Sequence, residues 1–230
     1  MGRHGSSQRI SGHFDGSNLN ELNIADGEVA FGTTGKLIVA NILMNDGGTR
    51  SAMTIGDGNE ITASNCLWVS YGYNPEQVAV VNMTVGLLNA GLNGGPNVWE
   101  SLLMLGGNGG TGVMNQSGGT VTVGPNGVVL GWWDVGNYSQ KTIGIYNLNG
   151  GILAMPNVQR GSPWGVGKGY FNFNGGTLQA TPSNDKFMEG PTAATVQEGG
   201  GVIDTNGNDI TIAQKLEHGG TAALRQKMVA

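Results

Sequence analysis

The stretch GYFNFNGGTLQA, residues 169–180, alternates apolar and polar side chains, is interrupted by two glycines, and then alternates again one residue out of phase. Before the glycines, Phe171 and Phe173 place the apolar residues at odd positions. After them, Leu178 and Ala180 place the apolar residues at even positions. A strand with one buried face cannot shift by one residue without turning its core side to water. The glycine pair therefore predicts a bend, after which a new strand begins on a different wall.

The double glycine recurs along the chain in similar surroundings. Its first glycine falls at positions 94, 118, 150 and 175, and NDGGTR at residues 45–50 is a weaker copy. The intervals are therefore about two dozen positions long, except for the longer one that separates the second and third copies. Short apolar segments that end in glycine lie between the copies, and no window shows sustained helical periodicity. Each interval predicts two or three short strands separated by glycine-rich or asparagine-rich turns.

Intervals of this length fit one coil of a β-solenoid, in which each strand pairs with its equivalent in the next coil. The sequence therefore predicts an all-β fold, a parallel β-helix or β-solenoid of about nine coils with Gly-Gly/Asn corners and short loops. Asparagines beside the glycines are expected to stack in ladders; they are Asn93, Asn149 and Asn174. An antiparallel sandwich or a propeller is the alternative, because both also contain many short strands.

The alternation also predicts which side chains enter the core. Tyr146 and Leu148 are expected to point inward before one of the bends. Leu153 and Met155 are expected to point inward after it. Cys66, the single cysteine, stands between apolar residues and is expected to be a small buried hydrophobe.

The composition supports a turn-rich β-protein and excludes several classes. Glycine supplies 43 of the 230 residues, whereas only 12% are charged, about half the usual share of roughly 25%. The net charge of −5 comes without a basic stripe, so nucleic acid is not an expected partner. No run of about 18 apolar residues occurs, so membrane insertion is not expected either.

The chain is expected to consist of a polar N-terminal segment or cap (residues 1–30), the β-solenoid (31–220) and a C-terminal tail (221–230). The N-terminal residues lack the apolar region of a secretory signal. The protein is therefore either cytoplasmic or a piece of a longer, exported chain, and the abrupt polar ends favour a fragment.

The pattern FNFNGGTL, followed by GGGVIDTNGNDITIAQ at residues 199–214, resembles the autotransporter-associated β-strand repeat proteins. Residues 53–220 carry this resemblance. It implies a right-handed parallel β-helix, an extracellular or cell-surface location, and a role in adhesion or scaffolding. The export route of that family is not predicted here, since no signal sequence or surface anchor is recognised in this sequence.

Three short motifs have chemical interpretations, and each is better explained as a turn or loop. SNDK at residues 183–186 matches S-x-x-K but lies in a polar loop, where no helix places the lysine over the serine. GNGGTG at residues 107–112 matches G-x-G-x-x-G without a βαβ context. DTNGND, from Asp204 to Asp209, resembles the start of a calcium loop, but Lys215 stands where the glutamate is needed. An Asn-Gly turn is favoured there, with calcium as the alternative.

No cofactor or metal site is predicted, because the three histidines are widely spaced and the sixteen acids are scattered. The aromatic residues give a stronger signal. They cluster in GWWDVGNYSQKTIG, where the longest interval has its extra residues, and in RGSPWGVGKGY. Since adjacent strand residues point to opposite faces, one of Trp132 and Trp133 is expected to face outward or to lie in a loop. The predicted ligand-binding residues are Trp132, Trp133, Asp134, Tyr138, Arg160, Trp164 and Lys168.

Aromatic faces flanked by polar groups suit sugar rings. The favoured hypothesis is an extracellular structural or adhesive β-solenoid passenger segment. Packing of the loops against the solenoid is the favoured explanation of the aromatic cluster, and binding of a polysaccharide or cell-surface glycan through these loops is the alternative. The second functional hypothesis is a polysaccharide lyase or hydrolase, with Asp134, Arg160 and Lys168 as polar groups. Unprotected strand edges at the ends of the solenoid also predict end-to-end self-association.

Overall fold

A computed structural model describes residues 7–10, 13–15, 20–32, 34–95, 97, 99–133, 141–161, 167–219 and 224–227. Every regular element in these residues is a β-strand, and every strand pair is parallel. The strands are β1 (Ser7–Ile10), β2 (His13–Asp15), β3 (Glu21–Ile24), β4 (Gly27–Phe31), β5 (Lys36–Met44), β6 (Arg50–Ile55), β7 (Glu60–Val69), β8 (Val78–Met83), β9 (Leu87–Ala90), β10 (Leu102–Gly107), β11 (Thr111–Gln116), β12 (Thr120–Val123), β13 (Gly127–Trp132), β14 (Ile143–Leu148), β15 (Ile152–Met155), β16 (Val158–Arg160), β17 (Lys168–Phe173), β18 (Thr177–Ala180), β19 (Asn184–Glu189), β20 (Ala193–Val196), β21 (Gly201–Asp204), β22 (Ile210–Ile212), β23 (Leu216–His218) and β24 (Leu224–Lys227).

The strands form two long parallel sheets that the chain visits in turn. The first, which we call the first wall, has nine strands in the order β1-β4-β6-β8-β11-β14-β17-β20-β23. The second sheet has fifteen strands, and its path turns back at β7. We call β9, β12, β15, β18, β21 and β24 the second wall, and β10, β13, β16, β19 and β22 the third wall. The long strands β5 and β7 contribute to both. The prediction of an all-β chain with stacked parallel strands is confirmed, and the antiparallel alternatives are wrong.

The residues predicted to enter the core are buried, and equivalent residues of successive coils are stacked. Tyr146, Leu148, Leu153 and Met155 are completely buried. Tyr146 pairs in register with Phe171, and their rings stack with centroids 5.3 Å apart and planes 16° apart. One apolar core therefore runs along the inside of the three walls. Cys66 is a buried free thiol, as predicted.

Glycines with positive φ stand where the chain passes from the first wall to the second. Gly119 and Gly151 both have φ of +71°, and Gly175 has φ of +120°. A Cβ atom on Gly151 would collide with the carbonyl oxygen of Gly119. A side chain at position 151 would therefore meet both backbone strain and steric overlap, which explains the glycine there.

The register shows that two of the five glycine pairs do not lie at the turn between the first and second walls. Thr120 pairs with Leu87, so Val85 and Gly86 stand opposite the glycine pair that begins at residue 118. Gly94, with φ of +65°, lies instead between β9 and β10. The pair at residues 47–48 lies between β5 and β6. Several turns of each coil require positive φ. A glycine pair by itself therefore does not identify which of these turns it forms.

Asparagine ladders run along the outside of the stack. In the first wall, side-chain amides link Asn115 to Asn82 (2.9 Å), Asn147 to Asn115 (2.8 Å) and Asn172 to Asn147 (2.8 Å). The predicted contact between Asn174 and Asn149 is present at 3.2 Å. Asn93 donates instead to Asn65, at 3.4 Å. These ladders join successive coils through side chains as well as through the backbone.

The domain boundaries at residues 30/31 and 220/221 stay predictions. Strands β1, β2 and β3 lie before the first of these boundaries, and β24 lies after the second. Each of these four strands is hydrogen-bonded to a strand of one of the two sheets.

Candidate ligand-binding cleft

The third wall is apolar on its outer face as well as on its core face. Every residue of β10 and β13 is buried. Leu103 and Leu105 enter the core, whereas the alternate residues Leu102 and Met104 join a second, external cluster. The other members of this external cluster are Cys66, Val129 and Trp132, with Trp68 packed against them.

A cleft with a volume of about 280 Å³ lies beside the external cluster. Six aromatic residues and one amide line it. They are Trp68, Tyr71, Tyr73, Trp99, Asn108, Trp132 and Trp133. Among the described residues, no acidic or basic side chain belongs to this lining, so recognition in the cleft depends on aromatic faces and one amide.

A glycine in the middle coil separates two rings of the lining. Gly107 pairs with Trp132 of the following coil. On its other side, the backbone N–H of Gly107 donates to the carbonyl oxygen of Ser70 at 2.9 Å, which places Tyr71 opposite Gly107 in the preceding coil. Tyr71 and Trp132 are therefore two strand spacings apart, roughly 9–10 Å. The rung between them carries a glycine, and a Cβ atom at this position would lie 3.0 Å from Met104 Cε, so the end of the Met104 side chain packs there.

The rings of the cleft are tilted relative to one another. The centroids of Trp68 and Tyr71 are 4.5 Å apart with planes at 46°, and those of Tyr71 and Tyr73 are 6.1 Å apart with planes at 70°. Tyr73 is 53% exposed, Trp99 42% and Trp133 38%. Trp132 is only 4% exposed but belongs to the external cluster, so both tryptophans lie on the outer side of the wall. Trp133 is exposed and follows the last residue of β13, which agrees with the prediction that one of the two faces outward or lies in a loop. The arrangement encloses a ligand from several directions.

Asn108 joins the segments that form the cleft. Its side-chain Nδ2 donates to the carbonyl oxygen of Tyr71 at 3.2 Å, and its backbone N–H donates to the carbonyl oxygen of Trp133 at 3.2 Å. Its φ of 52° is in the left-handed region, which asparagine tolerates better than most residues. The Oδ1 atom has no hydrogen-bonding partner in the described part of the chain.

Burial and nearby acidic side chains raise the pKa values of Tyr71 in the cleft and of Cys66 beside it. Burial, with a smaller contribution from a hydrogen bond to Tyr73, raises the pKa of Tyr71 to about 12. Burial also raises the pKa of Cys66 to about 12. Nearby carboxylates raise both pKa values further. Asp46 and Glu21 act on Tyr71, whereas Glu100 and Glu21 act on Cys66. The charged groups that act on these two residues are therefore acidic.

The structure brings only part of the predicted site together. Trp132 and Trp133 line the cleft. Arg160 donates to Thr192 at 3.3 Å, and Lys168 is an exposed residue at the start of β17; neither belongs to the lining. Asp134, Tyr138 and Trp164 lie outside the described residues. The enzyme hypothesis required Asp134 near Arg160 or Lys168, and it stays untested.

Sequence reasoning missed Trp68, Tyr71, Tyr73 and Trp99. The register pairs Val78 with Thr111 and Thr111 with Ile143, so these two consecutive coils are equally long to within one residue. The first of them contains Trp99 in its extra segment. The extra length was hidden because the glycine pair at residue 94 was aligned with the pair at residue 118. The cluster of aromatic residues in CLWVSYGY was the other available signal.

The competing motifs are turns or strands. Residues 184–189 of the SNDK region form the strand β19. Ser183 Oγ accepts from the backbone N–H of Asp209 at 3.1 Å. Lys186 Nζ lies 3.7 Å from Glu189 Oε2. In the segment from Asp204, the carboxylate accepts from the N–H of Asn206 at 3.0 Å. Asn206 and Gly207 have φ of 51° and 77°. These values are those of the predicted Asn-Gly turn.

Asn108 and Gly109 of GNGGTG have φ of 52° and 102° in the turn between β10 and β11. Among the residues that the structure describes, no three His, Cys, Asp or Glu side chains are placed to hold a metal ion. Within the same residues, no helix has the length and apolar character to cross a membrane.

Comparisons with known proteins give no relatives for this chain. Neither a protein-family model, nor a curated protein, nor a solved structure matches it.

Proposed function

We propose that this chain is an extracellular structural or adhesive β-solenoid segment that binds glycans through its aromatic cleft. The finer architecture proposed with it is a right-handed parallel β-helix with Gly-Gly/Asn corners, as in the autotransporter-associated β-strand repeat proteins that the sequence resembles. Both the location and the family assignment belong to this proposal.

One observation carries the proposal: six aromatic side chains and a single amide line a cleft of about 280 Å³ on the outside of the stack. Sugar rings combine apolar faces with hydroxyl edges, so aromatic rings provide contact area and an amide provides direction. Trp99 and Trp133 are large apolar groups with exposures of 42% and 38%. Exposed apolar residues grouped in this way are typical of binding sites.

The rest of the molecule supports a structural role. Parallel strands continue through nine positions of the first wall, and a single core extends along them. Each coil is stabilised mainly by its neighbours, which makes the stack an extended support for a site on one of its faces.

The test is a glycan-array screen of the full chain together with Trp99→Ala and Trp133→Ala. Both residues are exposed, so these variants are expected to fold normally. Tyr170→Ala, which removes a half-buried aromatic residue outside the cleft lining, is the control. We expect a defined set of glycans to bind to the wild type and the control, with a loss of at least about tenfold in affinity in both tryptophan variants.

The proposal is wrong if no glycan binds to the wild type. It is also wrong if binding survives in both tryptophan variants and is lost in Tyr170→Ala.

A further inference from the structure

We infer that the cleft prefers sugars that carry a positive charge, that is, amino sugars with a free protonated amine, over neutral and acidic sugars. This inference rests on the proposed glycan binding and specifies its ligand class. It is carried by the aromatic lining, by the lack of basic side chains among the described lining residues, and by the volume of the cleft.

The aromatic lining attracts cations. The face of an aromatic ring is the negative part of its quadrupole, and an ammonium group above it is stabilised by an attraction that strengthens when the pair is desolvated. The cleft contains six such rings, and the interplanar angles of 46° and 70° show that their faces point in different directions. A flat platform would suit the middle of a long neutral chain, whereas tilted rings surround a compact charged group.

The charges around the cleft have the matching sign. Asp46, Glu21 and Glu100 lie close enough to influence the tyrosine and the thiol beside it. Within the described residues, no lysine, arginine or histidine belongs to the lining, and Arg160 bonds instead to Thr192. A net charge of −5 and a lining without basic side chains among the described residues offer an acidic sugar no partner, which favours a cationic ligand.

The dimensions and the amide fit one end of a sugar chain. Tyr71 and Trp132 stand roughly 9–10 Å apart along the stack, with the end of the Met104 side chain beside Gly107 between them. The volume of about 280 Å³ is just below the usual range of about 300–1,000 Å³ for ligand pockets, so one or two sugar units fill it. Asn108 Oδ1 is available to accept from an ammonium or hydroxyl donor, because the described residues engage only its Nδ2.

The experiment compares two ligands that differ in charge at the same position. Glucosamine oligosaccharides and N-acetylglucosamine oligosaccharides of equal length are titrated into the full chain by calorimetry, at about pH 6, where amines are protonated. We expect the free amine form to bind at least about tenfold more tightly, and this preference to shrink as salt is raised. Oligogalacturonate is expected to bind more weakly than either.

Two matched variants connect the preference to the site. Glu100→Gln removes one carboxylate beside the cleft and is expected to reduce the preference for the amine about threefold or more. Glu198→Gln removes an exposed carboxylate from a distant turn and is expected to leave it unchanged. Trp133→Ala is expected to weaken the binding of both oligosaccharides.

The outcomes separate the inference from the proposed function. Equal binding of the two oligosaccharides overturns the charge preference and leaves glycan binding in place, whereas no binding of any sugar overturns both. Amine binding that persists in Trp133→Ala shows adsorption to surface carboxylates and contradicts the inference. Choline that binds as tightly as the amino sugar also contradicts it, because the cleft then recognises a cation without a sugar.

Discussion

The inside and the outside of the solenoid use aromatic residues in different ways. Inside, Tyr146 and Phe171 occupy the same rung of adjacent coils and stack with planes only 16° apart. Outside, Trp68, Tyr71 and Tyr73 come from one short segment and lie at 46° and 70° to their neighbours. The internal rings are completely buried, whereas Tyr73 is 53% exposed.

This difference separates stability from recognition. A ring that repeats from coil to coil fills the core and gains from both burial and stacking. The external rings do not repeat on every rung, since Gly107 stands between Tyr71 and Trp132. We therefore expect substitutions inside to change folding, and substitutions outside to change binding.

The largest expected effect comes from Phe171→Ala. This substitution removes a completely buried ring and its stacking contact, so we expect a loss of about 3–5 kcal/mol in the free energy of unfolding. Trp133→Ala, at 38% exposure, is the matched external variant and is expected to change stability by less than about 0.5 kcal/mol. Denaturant titration followed by circular dichroism measures both. Similar losses in the two variants would remove the distinction between inside and outside.

A smaller effect is expected from Tyr146→Phe. The Tyr146 hydroxyl donates to Gln116 Oε1 at 2.6 Å in the core, and the variant leaves this acceptor unpaired. The expected loss is about 1–3 kcal/mol. Tyr170→Phe, which removes a hydroxyl from a half-buried ring in the neighbouring coil, is the control and is expected to be close to neutral. A neutral Tyr146→Phe would mean that Gln116 finds another donor.

The asparagine ladder is expected to contribute less than the core hydroxyl. Asn147→Ala removes two amide hydrogen bonds of 2.8 Å, one to Asn115 and one to Asn172. Because the ladder is only partly buried, we expect a loss of about 1–2 kcal/mol in unfolding free energy. Thr195→Ala, one rung beyond Asn172, is the control. An equal loss in both variants would show that the effect comes from the strand position and not from the amides.

The smallest effect concerns alkaline pH. The pKa of Tyr71 is raised to about 12 in the folded chain, so the folded state binds this proton more tightly than the unfolded state. Its contribution to stability is therefore complete below about pH 10 and is lost as the pH rises through about 12. Denaturant midpoints measured across this range should fall less steeply in Tyr71→Phe than in the wild type. Parallel curves would show that Tyr71 ionises freely and is not desolvated in the cleft.

The core was predictable because burial repeats with the coil. The phase change at residues 175–176 predicted a bend between two walls, and the alternation around the equivalent glycine pair at residues 150–151 predicted Tyr146, Leu148, Leu153 and Met155 as core residues. All four are completely buried. The same logic failed at Gly94, because a positive φ is required at more than one turn of each coil. That misalignment concealed the long segment that holds Trp99.

The cleft was only partly predictable. Trp132 and Trp133 were identified because they fall in an unusually long interval. Tyr71 was not identified, because it stands two coils from Trp132 with Gly107 between them, and a glycine gives no sequence signal that links the two aromatic residues. Arg160 was grouped with the tryptophans on the basis of proximity in sequence, but its side chain bonds to Thr192 of a later coil.

The sequence by itself determined that the chain is all-β and that strands from successive coils stack, because alternation and glycine interruptions depend on local backbone geometry. Only the tertiary structure decided where the aromatic side chains meet. That depends on the register between coils, which pairs positions as distant in sequence as Val78 and Thr111. Local patterns specify which face of a strand is buried. They do not specify which residues stand beside one another across the stack.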